Sequence, residues 1–296
     1  MAQQRPFTDQ ETQDIIRRHM EDLREGGVGT LPYLNGDPRL DRKKVSSLLI
    51  PYLSDPNEDI RYSAASFLGS YGDREAVMPL GRALEDNNRG VRRAATQALC
   101  HIGLEELQPH RDHLIPFLLR EGGRVEGAMS AAAIELLGNL RAATVIPEIK
   151  KLRDSLASTV TTRADKKQLI ALVEDACTRA LAKLGDSGSR LEVINLLRSP
   201  SVAERVKGIR HASYLGREIC SELVPLLDDK RDAIPGGSTW EPIYLRVCDL
   251  ALQAAVVGLA LKTDFLPTRG GVALRFKDAQ IEEVRRLIKV DLDTKR

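Results

Sequence analysis

The sequence predicts an all-α protein, an α-α superhelix (solenoid) of about six helix pairs with a capping segment at each end. Three observations predict this fold class. One motif recurs along the chain, its apolar and small residues fall at helical spacing, and a proline precedes the copies. Stacked helix pairs of this kind bury a continuous apolar core between neighbouring repeats.

The recurring motif begins with a β-branched residue and an Arg, continues with a pair of small residues and ends in a Leu. Apolar or small residues stand at about i, i+3, i+4 and i+8, which is one face of a helix. Small residues in the middle of that face allow neighbouring helices to approach closely. The register of a further copy within 202–216 is not fixed. The copies are 60–68, 91–99, 173–181, 247–255 and, more weakly, 129–137.

Each copy forms the second helix of a pair, and the first helix carries an early proline. Proline is tolerated in a first helical turn, where its missing N–H has no partner. The prolines concerned are Pro51, Pro79, Pro116, Pro147 and Pro225. The predicted pairs are 41–54 with 58–71, 75–85 with 88–102, 107–120 with 125–141, 144–156 with 164–184, 187–198 with 201–215, and 218–228 with 243–262.

These repeats resemble the HEAT repeat family, particularly the short bacterial type also seen in phycobilin lyases. The resemblance covers roughly residues 40–262. It implies that the second helices line the concave side of the stack, where their exposed positions form a binding surface. Because one fold hosts many functions, the resemblance indicates the fold far better than the activity.

Both ends of the chain depart from the repeat. Residues 1–38 are predicted as an N-terminal capping helix and loop, 39–262 as the repeat solenoid and 263–296 as a C-terminal extension with a capping helix. The helix at 8–24 begins with a capping box, Thr8 to Glu11. Residues 229–242 are predicted as a long insertion, and 265–276 as an extended segment before a helix at 278–289.

Composition narrows the function classes. The chain is 42% hydrophobic but only 4% aromatic, and its net charge of +2 lacks the positive excess of a dedicated nucleic-acid binder. Neither a membrane span nor a signal peptide is predicted. The cysteines form no C-x-x-C pair, which indicates reduced, mostly buried thiols in a cytoplasmic protein. They are Cys100, Cys177, Cys220 and Cys248.

No catalytic residue, cofactor site or metal site is predicted. His110 and His113 share one helical face, but no further ligands stand at a familiar zinc-site spacing, so solvated or capping histidines are favoured. Gly122 and Gly123 lack the Gly-Lys-Ser/Thr of a phosphate loop and indicate a helix end. The sequence therefore predicts that the chain is not an enzyme.

The leading hypothesis is a non-catalytic protein-binding scaffold whose concave face takes an extended or helical segment of a partner. For Arg61 and Arg92, the favoured interpretation is pairing with Asp55 and Asp86 in the turns. Trp240 in the insertion either plugs the end of the stack or anchors a partner. The predicted partner-binding residues are Arg61, Tyr62, Arg92, Arg93, Gln97, His101, Glu135, Glu174, Asp175, Arg179, Lys183, Trp240, Asp249 and Gln253.

Two alternatives remain open. One is a bilin lyase-like or other small-ligand-handling protein, which the short repeat type suggests. The other is nucleic-acid binding, although the mixed sign of the exposed charges disfavours a phosphate backbone. That second alternative depends on Arg92, Arg93, Lys150, Lys151, Lys166 and Lys167.

Overall fold

The computed structural model describes residues 5–27, 37–238, 241–265 and 275–294, giving the backbone alone for 234–238 and 241–244. The chain divides into two compact units, Met1–Ala180 and Leu181–Arg296. The predicted three-part division at residues 38 and 262 stays a prediction.

The first unit consists of helices that alternate between the first and second member of a pair. Short 3-10 turns at Ile50–Ser54, Arg74–Ala76, Gln108–His110 and Ala143–Val145 adjoin the first members. The helices are α1 (Asp9–Arg24), α2 (Arg42–Leu49), α3 (Glu58–Tyr71), α4 (Val77–Ala83), α5 (Arg89–Ile102), α6 (Leu104–Leu107), α7 (Arg111–Gly123), α8 (Ala128–Asn139), α9 (Ile146–Ala157) and α10 (Ala164–Lys183).

The predicted N-terminal capping box is confirmed. The Glu11 N–H donates to the Thr8 hydroxyl at 3.2 Å, and the Thr8 N–H donates to the Glu11 carboxylate at 2.8 Å. These two bonds satisfy backbone donors that the first turn of α1 cannot pair internally. The prolines are less regular than predicted, since Pro116 lies inside α7 rather than in a first turn.

Second helices stack on second helices, as the repeat requires. Helix α3 packs on α5 and α5 on α8, while α4 packs on α7. The small pairs at 64–65 and 94–95 are buried at these contacts. A Cβ on Gly69 would lie 3.4 Å from the Cα of Ala98, so small residues are what bring α3 and α5 together.

The second unit continues the alternation. Its core joins side chains from all its helices, among them Val193, Ile209, Leu252 and Val284. The elements are α11 (Ser187–Arg198), α12 (Val202–Leu215), a 3-10 segment (Gly216–Asp228), β1 (Asp232–Ser238), β2 (Glu241–Arg246), α13 (Val247–Leu259) and α14 (Asp278–Thr294).

The structure fixes the register of α12, which the sequence left open. Its N-cap is Ser201 and its terminal glycine is Gly216, at the spacing that separates Asn57 from Gly72 around α3. The position of the motif's opening β-branched residue is taken by Glu204. A polar residue at a normally apolar position obscured the repeat.

The insertion predicted at 229–242 enters a two-stranded antiparallel hairpin, and the helix predicted from residue 243 is wrong at its start because residues 243–246 belong to β2. The register runs from Asp232 opposite Arg246 to Ser238 opposite Glu241. Glycine and proline are depleted in strands, and this segment is rich in both, so its composition did not indicate strands. Residues 239–240 lie outside the described residues, as do residues 266–274 of the extended segment predicted at 265–276.

Candidate functional site

An arginine four residues after the N-cap links consecutive turns. In α3, Arg61 donates to both oxygens of Asp86 at 2.7 and 3.0 Å, reaching the turn before α5. The same guanidinium donates to the carbonyls of Asp55 and Pro56 in its own turn, at 2.9 and 3.1 Å. Asp86 also accepts the Asn88 N–H at 2.8 Å. The Arg61 side chain therefore hydrogen-bonds both within its own turn and to the turn of the next repeat.

The same arrangement recurs at Arg92 and Arg205. Arg92 donates to the carbonyls of Asp86 and Asn87 and reaches Glu126 at 2.6 Å. In the second unit, Arg205 donates to the Ser199 carbonyl and to Asp229, each at 2.6 Å. We call Arg61, Arg92 and Arg205 the arginine ladder.

Ion pairing in the ladder shifts the pKa values of its carboxylates. Burial of Asp86 opposes ionisation, but the hydrogen bonds from Arg61 and from the Asn88 N–H outweigh it and lower the pKa of Asp86. Hydrogen bonds from Arg231, reinforced by Arg205, lower the pKa of Asp229 to about 2 against the cost of burial. The ladder is therefore charged and neutralised internally near neutral pH.

Two residues predicted to lie at exposed positions are buried, so that expectation is wrong for them. The Arg92 side chain is 6% exposed because it is enclosed by Glu126 and Glu121. Asp249 is 0% exposed, since it accepts from Arg246 at 2.9 Å and from the Phe276 N–H at 3.0 Å. Neither side chain can reach a partner without unfolding local structure.

Beside Arg92 lies the buried carboxylate of Glu121. Its Oε2 is 3.6 Å from Nε of Arg92 and 3.3 Å from Nε of Arg124. This oxygen has no hydrogen-bond partner among the described residues. Burial raises the pKa of Glu121, outweighing the attraction of these arginines. This group belongs to the interior of the stack.

Four other residues of the predicted partner-binding set are exposed and, together with Ser66, form one surface. Tyr62 and Ser66 stand on α3, four residues apart, and Arg93, Gln97 and His101 stand on α5 at the same spacing. A Cβ on Gly90, in the first turn of α5, would lie 3.5 Å from the Tyr62 ring. The two rows are therefore neighbours.

We call these five residues the α3–α5 surface. Tyr62 is 48% exposed, and Arg93 makes no ion pair or side-chain hydrogen bond within the described part of the chain. An exposed aromatic ring beside an unpaired guanidinium can pack against and hydrogen-bond a partner.

Along α8 and α10, the predicted residues already have intrachain partners. Arg179 donates to Glu135 at 2.8 Å, which places the two helices side by side. Lys183 donates to the Tyr214 carbonyl at 2.8 Å and its Nζ lies 4.3 Å from the centre of the Tyr214 ring. Glu174 and Asp175 are half-buried. Internal contacts thus already occupy Glu135, Arg179 and Lys183.

Gln253 lies in a groove between α12 and α13. The groove has a volume of about 250 Å³. Its lining is Val206, Ile209, Arg210 and Ser213 from α12, with Leu250, Gln253, Ala254 and Val257 from α13. Gln253 was predicted as a partner-binding residue, whereas the lining residues of α12 were not, because the register of α12 was not fixed.

The remaining predicted features give no chemical site in the described ranges. Trp240 lies outside them. Those ranges hold no cluster of three or more His, Cys, Asp or Glu side chains suited to a metal ion. None of their helices is long and apolar enough to cross a lipid bilayer.

Comparison with known proteins bears on this architecture. Residues 46–118 match the family model described as HEAT repeats. These residues run from α2 to α7 and include the motif copies of α3 and α5. This part of the chain therefore consists of HEAT repeats. No curated protein sequence matches it.

The fold of the whole chain also occurs in a solved structure. That structure is the complex of CpcE and CpcF of phycocyanin lyase from Nostoc sp. PCC7120, which matches with a TM-score of 0.50 and 18% sequence identity. The match covers 98% of this chain and 97% of the other. The predicted all-α helical-repeat fold class is confirmed.

The prediction that the chain is not an enzyme is wrong. That prediction rested on the absence of a familiar catalytic motif from a helical-repeat sequence. The matching structure has the same fold over nearly its whole length and is that of a lyase complex. Neither the fold nor the missing motif excludes an enzyme.

Proposed function

We propose that this HEAT-repeat chain binds a partner protein through exposed faces of its second helices. The observation that carries the proposal is the α3–α5 surface, where the half-exposed Tyr62 ring lies near Gly90, one turn before Arg93, and Arg93 makes no ion pair within the described residues. Tyrosine and arginine are the residue types enriched at protein interfaces and at their energetic hot spots. Gln97 and His101 supply hydrogen-bonding groups one and two turns beyond Arg93.

Charge pairing supports a protein over a nucleic acid. A phosphate backbone is bound by a continuous row of available cations. Arg61 and Arg92 are instead held by Asp86 and Glu126. The α3–α5 surface therefore offers the single charge of Arg93, which suits a side-chain carboxylate or backbone carbonyl of a protein.

Affinity purification from the native host, with quantitative mass spectrometry, tests the proposal. The baits are the wild-type chain, a Tyr62→Ala/Arg93→Glu variant and an Arg82→Glu variant. Arg82 is an exposed cation on α4, a first helix, and serves as the matched control. Circular dichroism verifies that all three baits fold.

We expect a stoichiometric partner with the wild-type chain and with Arg82→Glu, and at least a tenfold loss with the double variant. Tenfold corresponds to about 1.4 kcal/mol of binding free energy. Recovery of no partner with any bait, or equal recovery with all three, contradicts the proposal.

The second candidate function is handling of a small ligand in the manner of the bilin lyases. It is favoured by the structural match to the phycocyanin lyase complex, which covers nearly the whole length of both chains. The α12–α13 groove, at about 250 Å³, lies below the range of about 300–1,000 Å³ typical of small-ligand pockets. A depression of about 390 Å³ on α11 and α12 is lined by Glu192 and Glu204, which repel the carboxylates of a bilin.

An absorption spectrum of the chain purified from its host distinguishes this candidate. A chromophore band that survives gel filtration at stoichiometric ratio favours ligand handling. A spectrum with protein absorption alone, together with a captured protein partner, favours the first proposal.

A further inference from the structure

The α12–α13 groove is built from two matching helical stripes. On α12 the lining residues stand at i, i+3, i+4 and i+7, beginning with Val206 and ending with Ser213. On α13 they have the same spacing, from Leu250 to Val257. That spacing is one face of each helix, so the groove runs between two neighbouring helices along about two turns.

The floor of the groove is apolar and its walls are only partly covered. Ile209 and Ala254 are buried beneath it, whereas Val257 at its edge is 73% exposed. An aliphatic side chain so exposed on an ordered helix gains free energy when a partner covers it, about 25 cal/mol for each Å² removed from water. The volume suits inserted side chains rather than a whole small molecule.

The charge around the groove has one sign. The sole charged residue of α13 is Asp249, and it is fully buried against Arg246. None of the described residues that line the groove carries a carboxylate. Arg210 lies on its rim, is exposed, and makes no ion pair within the described residues. An apolar floor with an unpaired cation is complementary to an apolar side chain that has a carboxylate beside it.

We propose that the α12–α13 groove binds an acidic amphipathic helix of a partner protein. Its apolar residues at i, i+3 or i+4, and i+7 fill the groove, and a Glu or Asp on its flank pairs with Arg210. Ser213 and Gln253 hydrogen-bond polar groups at the rim. This mode places an amphipathic helix in an apolar groove between helices. The inference rests on the proposed function and assigns it a second surface and a class of partner.

A peptide display library that varies the charge of the flanking residues tests whether the α12–α13 groove of the full chain binds an acidic helix. Each peptide spans about four helical turns and carries Leu at the groove-facing positions, with Glu, Gln or Lys varied at the flanking ones. Selection is run on the wild-type chain, on Arg210→Glu, on Val257→Asp and on Lys166→Glu. Lys166 is an exposed cation of α10, and its variant is the matched control.

On the wild-type chain and on Lys166→Glu, we expect Glu to be enriched over Lys at flanking positions at least tenfold. Selection on Arg210→Glu shifts that ratio toward Lys by a similar factor. Val257→Asp removes the enriched peptides. Failure to enrich any helical peptide on the wild-type chain overturns the docking site. Enrichment whose Glu-to-Lys ratio is unchanged in Arg210→Glu overturns the role of Arg210.

The two proposals fail separately. A host partner that is lost with Tyr62→Ala/Arg93→Glu yet retained by Arg210→Glu and Val257→Asp supports the proposed function and rejects this inference. Peptides selected as expected, with no host partner recovered, support the groove and reject the proposed function.

Discussion

Replacing Arg61 with alanine tests whether the arginine ladder stabilises the fold, in contrast to the exposed Arg93. Its guanidinium makes four hydrogen bonds, two to the Asp86 carboxylate and two to carbonyls of its own turn. Arg93, the residue after Arg92, is an exposed cation of α5. Alanine at Arg61 removes a link between repeats, whereas alanine at Arg93 removes only a surface charge.

The expected loss lies between two limits. An exposed ion pair contributes about 0–1 kcal/mol, and breaking a fully buried pair costs about 3–5 kcal/mol. The side chains of Arg61 and Asp86 are 17% and 10% exposed, which places the pair between these cases. We expect Arg61→Ala to lower the free energy of unfolding by about 2–3 kcal/mol. For a unit of this size, that lowers Tm by about 4–12 °C.

Thermal unfolding followed by circular dichroism measures the effect. Arg93→Ala serves as the control and stays within about 0.5 kcal/mol of the wild type. A double-mutant cycle with Asp86→Ala gives a coupling energy of about 1–2 kcal/mol, since the two side chains bond each other directly. Equal Tm values for Arg61→Ala and Arg93→Ala, or additive effects in the cycle, would refute the ladder.

Three further predictions concern single groups. The pKa of Asp229, about 2 when folded, is below its unfolded value of about 3.9, so its ion pairs contribute about 2 kcal/mol above pH 4. This stability disappears as pH falls toward 2. Urea titrations should show the difference in free energy of unfolding between the wild type and Asp229→Asn shrinking between pH 4 and pH 2. A difference that stays constant over this range contradicts the prediction. Partial burial and Glu135 raise the pKa of Cys100 to about 11. Native chain should therefore react slowly at Cys100 with a thiol-specific reagent at pH 8, about tenfold faster for each pH unit toward 10, and reaction at the rate of free cysteine would be the opposite result. A Cβ on Gly208 would lie 2.8 Å from the Leu197 backbone nitrogen, so Gly208→Ala should destabilise the chain by about 1–3 kcal/mol in urea unfolding. Gly123→Ala, with open space around it, is the control, and equal stability of the two variants would contradict the close approach.

Helix pairs were predictable because their signals are local. The capping box at Thr8 and the small pairs of α3 and α5 each depend on residues within a few positions. The predicted second helices 58–71 and 88–102 correspond closely to α3 and α5 as observed. Burial of the small pairs followed from the helical spacing itself.

The candidate surface was predictable only in part. Arg92 and Arg93 are neighbours in sequence and both look like solvated cations, yet one is enclosed by Glu126 and the other is exposed. The difference depends on which side of α5 meets the next turn. A carboxylate more than thirty positions away gives no local signal. The same reason hid the burial of Asp249 by Phe276.

The sequence by itself determined the helix pairs, their caps and the apolar seam of each motif, since these depend on the spacing of residues within one or two turns. Only the tertiary structure decided which arginines are paired, that residues 232–238 pair with 241–246 as strands, and that α12 and α13 leave a groove with Arg210, which has no ion pair among the described residues, at its rim. Those outcomes depend on contacts between elements far apart in the chain, where packing and desolvation, rather than local periodicity, set the free energy.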